Sequence, residues 1–112
     1  MLPQTFRTRL TDLFGIEHPL ICGGMMWLAD AAYVSAVARA GVIGFITPRS
    51  FPMPEDFREQ LRMAHDQSDG KPFGVNLYIS ARPEANELLE TFLEISIDEG
   101  VKFIESAGFS PK

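Results

Sequence analysis

The sequence predicts an α/β fold in which short parallel strands are joined by helical crossovers. Three observations carry this reading. Four apolar runs rich in β-branched and aromatic residues recur along the chain. Amphipathic helical stretches alternate with them. The glycines that close those stretches, Gly41, Gly70 and Gly100, are spaced 29 and 30 residues apart, and about 30 residues is the size of one βαβ unit.

The elements follow in order. A short helix around Phe6 to Phe14 is expected first, closed by Gly15. A strand over Pro19 to Cys22 follows. The first crossover helix is expected from Leu28 to Ala40, with Leu28, Ala31, Val34 and Ala38 on one stripe. The run Val42 to Thr47 is almost continuously apolar, as a strand covered on both faces requires. The second crossover helix runs from Pro54 to about Gln67, with Phe57, Leu61 and Ala64 at helical spacing. Phe73 to Ile79 is the third strand. The third crossover helix runs from Pro83 to about Glu99, with Leu88, Phe92 and Ile95 in line, and Val101 to Ile104 is the fourth strand. Pro54 and Pro83 fit the first helical turn, where no intrahelical N–H is needed. Glu55, Asp56, Glu84 and Glu87 place negative charge at the positive ends of helix dipoles.

Composition excludes several classes. The chain has 112 residues, 10 basic and 15 acidic, for a net charge of −5. An acidic balance argues against nucleic acid, which needs clustered Lys and Arg. No apolar run is long enough to span a membrane, and Met1 to Leu10 lacks a signal-peptide core. One cysteine excludes an internal disulfide framework, and with two histidines it argues against a structural zinc site. The expected compartment is a reducing cytoplasm.

In parallel α/β sheets the chemistry sits at the C-terminal ends of the strands. That rule selects four loops: Cys22 to Trp27, Thr47 to Pro52, Asn76 to Arg82 and Glu105 to Pro111. Gly23-Gly24-Met25-Met26-Trp27 is the most unusual. Its glycines permit close backbone approach by a ligand, and its Met and Trp side chains suit an aromatic ring. The same residues also fit a tight turn capped by a tryptophan. Gly-x-Gly-x-x-Gly is absent. Asn76 is an amide inside an apolar strand, so a neighbouring loop, adjacent backbone or a ligand must satisfy it. Alternation puts it on one face with Gly74 and Tyr78. Cys22 reads as a buried thiol and His18 as structural. His65 reads as solvated, and Glu84, Glu87, Glu90 and Glu94 as a wet helix face.

At the glycine loop the residues become recognisable. Phe6-Arg7-Thr8-Arg9-Leu10-Thr11-Asp12-Leu13-Phe14-Gly15-Ile16-Glu17-His18-Pro19, followed by Gly23-Gly24-Met25-Met26-Trp27-Leu28-Ala29, resembles the N-terminus of the nitronate monooxygenase family, formerly called 2-nitropropane dioxygenases. FMN-dependent enoyl-acyl-carrier-protein reductases are similar too. Lys71-Pro72-Phe73-Gly74-Val75-Asn76-Leu77 resembles the family's third-strand motif. Glu99 to Gly108 resembles its fourth strand and the loop beyond. The resemblance implies the N-terminal half of a TIM-like (β/α)8 barrel, with residues 1–112 as a partial flavin-binding domain ending after the fourth strand.

It also implies FMN as cofactor, with Gly24, Met25, Met26, Asn76 and Tyr78 in contact with it, and no metal. The activity implied is oxidation of alkyl nitronates or nitroalkanes by O2 to a carbonyl compound and nitrite. An NAD(P)H-dependent enoyl-acyl-carrier-protein reductase is the alternative, and a non-catalytic α/β binding or assembly module is a second one. The family's catalytic histidine lies beyond residue 112, and neither His18 nor His65 matches it. The 112 residues alone are therefore expected to lack turnover.

Overall fold

A computed structural model describes residues 5–110. The last residue of the fourth predicted loop, Pro111, and the start of the Met1 to Leu10 segment lie outside the described residues. The element order is α1 (Arg9–Phe14), β1 (Ile21–Cys22), α2 (Ala31–Arg39), β2 (Ile43–Ile46), α3 (Pro54–Gln67), β3 (Gly74–Ile79), α4 (Leu89–Asp98) and β4 (Phe103–Gly108). Short 3-10 turns at Pro48–Ser50 and Pro83–Asn86 follow β2 and β3. The strands pair in parallel in the order β1-β2-β3-β4. They curl into half of a TIM-like barrel with the helices outside.

Register divides the side chains between two faces. Phe45 pairs with Gly74, and Gly74 with Phe103. By alternation, Ile43, Phe45, Thr47, Gly74, Asn76, Tyr78, Phe103, Glu105 and Ala107 share the concave inner face. Val75, Leu77 and Ile46 point outward and join Ala31, Val34, Phe57, Leu61, Ala64, Phe92 and Ile95 in the main core. Phe14 of α1 plugs the lower end of the inner face. Its ring lies edge-on to Phe103 at 4.9 Å and to Phe45 at 6.4 Å. Gly74 makes room for this layer, since a Cβ there would overlap the Phe45 ring.

Several boundaries differ from expectation: α1 begins at Arg9 and β1 at Ile21, and three further differences bear on the site. The helix expected from Leu28 begins at Ala31 because the Asp30 carboxylate accepts from the Tyr33 amide at 2.9 Å and caps it. Leu28 is consequently exposed rather than part of the core stripe. The stretch after Pro83 is a 3-10 turn, and the α-helix proper begins at Leu89. The fourth strand starts at Phe103 and extends to Gly108, so Glu105 is a strand residue and not a loop residue. Pairing with all six residues of β3 overrides the weak strand preference of Glu105, Ser106 and Ala107. The glycine expectation holds: Gly15, Gly41, Gly70 and Gly100 all have positive φ.

Charge ties α3 to the end of α4. Glu99 accepts from Arg58 at 2.8 Å and from Arg62 at 3.2 Å. His65 is not simply solvated. Its Nε2 donates to the Glu99 carbonyl at 2.7 Å, and its ring packs on Phe73 at 4.9 Å. The Arg58 hydrogen bond, then that of Arg62, holds the Glu99 carboxyl below its ordinary value near 4.5. A depressed carboxylate stabilises the fold above its unfolded value, and that contribution fades as pH falls through the folded one. Urea unfolding of wild type and Glu99→Gln is therefore expected to show a gap that is constant at neutral pH and closes as pH falls below the ordinary carboxylate value. A gap that widens in acid would contradict this pairing.

Candidate active site

The C-terminal ends of the strands gather the glycine loop, Thr47, Asn76 and Glu105. Asn76 and Glu105 are register partners on neighbouring strands. The Glu105 carboxylate oxygen Oε1 accepts from Asn76 Nδ2 at 2.8 Å. The same oxygen accepts from the Gly24 backbone N–H at 2.7 Å, a contact 81 residues apart in sequence. One carboxylate thus joins β4, β3 and the loop after β1. Short hydrogen bonds to an ionised acceptor are stronger than neutral ones.

Gly24 is a glycine because of what presses on it. A Cβ there would lie 2.5 Å from Asn76 Cβ and 2.9 Å from Thr47 Oγ1. The close approach foreseen for a ligand is made at this point by Asn76 and Thr47. Thr47 is 3% exposed, and its hydroxyl has no partner among the described residues. Such an orphan costs roughly 1–3 kcal/mol unless something completes it.

Beyond Gly24 the loop turns outward. The Met25 carbonyl accepts from the Leu28 and Ala29 amides at 3.1 and 2.8 Å. Trp27 has φ of 71° and donates its amide to Ser50 Oγ at 2.8 Å. The amides of Gly24 and Trp27 are therefore committed. Those of Met25 and Met26, between them, have no partner among the described residues. Their side chains and that of Trp27 are exposed. The segment presents two free N–H donors framed by soft, apolar surface.

Tyr78, one step above Asn76 on the same face, is partly exposed and lies beneath the Arg49 guanidinium, 5.2 Å from its centroid. Arg49 Nη2 also donates to the carbonyls of Tyr78 at 3.1 Å and Ala85 at 2.6 Å. Asn86 adds two bonds to the Ser80 backbone, 2.8 and 2.9 Å long. The loop after β3 is thereby fixed. Beside it runs a groove of about 370 Å³ lined by Met26, Phe51, Leu88, Leu89 and Phe92 together with the charged side chains of Arg49, Glu84 and Glu87.

The structure brings Gly24, Asn76 and the loop of Met25 and Met26 together, and sets Tyr78 just above. Sequence reasoning missed Glu105, Thr47 and Arg49 as individuals and saw them only within loop ranges. An acid in the strand motif Phe103-Ile104-Glu105 was the available signal. Cys22 pairs in register with Gly44, which rests on Val37 of α2, so the thiol belongs to the helix side. Burial, then the neighbouring Cys22, pushes the Tyr33 phenol above its ordinary value. Glu84, Glu87, Glu90 and Glu94 are all exposed. Among the described residues no cluster of three or more His, Cys, Asp or Glu could hold a metal, and no helix is long and apolar enough to cross a membrane.

Parallel strands curled into a half-barrel, with a polar cluster at their C-terminal ends, define the architecture of half a β/α barrel. The chain belongs to the nitronate monooxygenase family, which it matches over residues 7–108. It is 37% identical over 106 residues to a protein of Mycobacterium tuberculosis named (3aS,4S,5R,7aS)-5-hydroxy-7a-methyl-1-oxo-octahydro-1H-indene-4-carboxyl-CoA dehydrogenase, covering 95% of this chain and 28% of that protein. A protein of the same name from Rhodococcus jostii is 31% identical over 109 residues, covering 97% of this chain and 29% of its own length. The chain thus spans under a third of the curated relatives it matches. Among solved structures, the enoyl reductase domain of MlnA from the macrolactin biosynthesis cluster of Bacillus amyloliquefaciens shares the fold. Its TM-score is 0.79 at 18% identity, covering 95% of this chain and 24% of that one.

Proposed function

We propose that the chain is the N-terminal part of an FMN-dependent oxidoreductase, with the flavin ring seated against Gly24, Met25 and Met26. The observation that carries this reading is the pair of unclaimed amides at Met25 and Met26, set between two amides that are tied down. N–H donors framed by thioether side chains suit the polar edge and flat face of an isoalloxazine. The unpaired Thr47 hydroxyl behind the loop is a further polar group that fits an incomplete site. Asn76 and Tyr78 stand on the same face and complete its wall. When bound, FMN supplies the two-electron chemistry. The residues of this chain orient the ring, shield one side of it from water and hold it to fixed amides.

Two substrate readings follow. The family's namesake reaction is oxidation of a nitronate with O2 to a carbonyl compound and nitrite. The names of the two relatives favour a CoA thioester with an apolar ring body. The groove beginning at Met26 has an apolar wall of Phe51, Leu88, Leu89 and Phe92 for such a body, with Arg49, Glu84 and Glu87 lining the rest. We take the thioester reading as the better supported. The test is anaerobic mixing of the intact flavoprotein with a cyclic hydroxyacyl-CoA, against oxygen uptake with propionate 3-nitronate. Flavin bleaching by the thioester, with little oxygen uptake on the nitronate, is expected. Rapid nitronate-dependent oxygen uptake without bleaching by the thioester would reverse the choice.

A further inference from the structure

We propose that Glu105 is the positioning residue of the glycine loop: its carboxylate fixes the Gly24 backbone and the Asn76 amide as one unit. It thereby determines which loop amides remain free for a ligand. Among the described residues, no other side chain hydrogen-bonds both β3 and the loop after β1. The carboxylate lies on the inner face of β4, and the loop it holds follows β1, so the contact closes across the concave face rather than along it. Gly23 rests against the same group, with a Cβ position 3.7 Å from Glu105 Oε1. The described residues give Glu105 no cationic partner. Its hydrogen-bond partners among the described residues are two N–H donors. An anion held this way remains a source of negative potential for anything seated on the loop.

Two consequences separate by substitution. A glutamine at this position keeps an oxygen able to accept both hydrogen bonds and removes the charge. An alanine removes the anchor. The anchor is read without cofactor through Trp27, the single tryptophan of these residues, which is exposed three positions beyond Gly24. In 5-fluorotryptophan-labelled intact protein, with the Trp27 resonance assigned by Trp27→Phe, Glu105→Ala is expected to shift and broaden that resonance. Glu105→Gln is expected to restore it, and Ser106→Ala, on the opposite face of the same strand, to leave it in place. An unmoved Trp27 resonance in folded Glu105→Ala would overturn the anchoring role. Should that variant not fold, hydrogen exchange on the wild type decides. A Gly24 amide that exchanges more slowly than those of Met25 and Met26 supports the proposal, and equal exchange overturns it.

The charge effect rests on the flavin reading. In flavin-loaded protein, Glu105→Gln is expected to move the flavin midpoint potential to a more positive value, because an anion opposing the reduced ring is lost. An unchanged potential would overturn this second consequence. A colourless protein with a displaced Trp27 resonance would sink the flavin reading and leave the anchoring role standing.

Discussion

Alanine at Gly24 is expected to destabilise the fold by about 1–3 kcal/mol and to weaken flavin binding roughly tenfold or more. The new Cβ would meet Asn76 Cβ at 2.5 Å and Asn76 Cγ at 2.8 Å. Neither atom is the free end of a flexible chain. Asn76 is held by its strand and by Glu105, so relief must come from the loop. Moving the loop stretches the bond from the Gly24 amide to Glu105 and displaces the Met25 and Met26 amides together. Stability and binding should therefore fall in the same variant. Urea unfolding and flavin titration of Gly24→Ala measure the two effects. Wild-type stability with wild-type flavin affinity would contradict the crowding at this position. Alanine at Gly23 makes the useful comparison, because its Cβ would meet only ordinary contacts near Glu105.

Phe57→Ala is expected to cost about 3–5 kcal/mol, a large share of what a domain of this size possesses. Phe57 is fully buried at the centre of the outer core. Its ring stands edge-on to Phe92 at 5.5 Å and stacks near Phe51 at 6.4 Å. The truncation empties the space between α3, α4 and β3. Phe51 and Phe92 also line the groove beside Met26, so the groove should widen and lose shape. Phe57→Leu retains most of the volume and should lose much less. A denaturation midpoint that is equal for the alanine and leucine variants would show that this ring does not carry the packing.

Much of the fold was legible because it rests on periodicity. Phe57, Leu61 and Ala64 fall on the buried face of α3 as their spacing requires. The glycines that end the helices take the left-handed conformation that suits them. The misread boundaries have a local cause in one case and a tertiary cause in the other. Leu28 satisfies the apolar stripe, but the Asp30 cap starts the helix after it. Glu105-Ser106-Ala107 has little strand preference of its own and becomes a strand because β3 pairs with it.

The site was legible in its parts and not in its connections. Gly24 and Asn76 stood out as an unusual glycine pair and an amide in an apolar strand. That they touch, and that Glu105 joins them, depends on a contact spanning 81 residues. No local pattern encodes such a contact. The alternative reading of Asn76, satisfied by a neighbour, holds for its Nδ2, although the neighbour is a side chain and not backbone. Arg49 was equally hidden. It appears in the sequence as one cation in a loop, and its role emerges only where the carbonyls of Tyr78 and Ala85 converge on it.

On the proposed reading a flavin sits on the glycine loop at the upper end of the half-barrel. Titration of FMN into 15N-labelled intact protein, followed residue by residue, tests it most directly. The largest amide shifts are expected at Met25 and Met26, with accompanying shifts at the Asn76 side chain and Tyr78, and little change at Phe14 and Lys71 on the opposite end. Shifts centred on the Phe14 and Lys71 end, or none at any residue of the loop at saturating FMN, would contradict it.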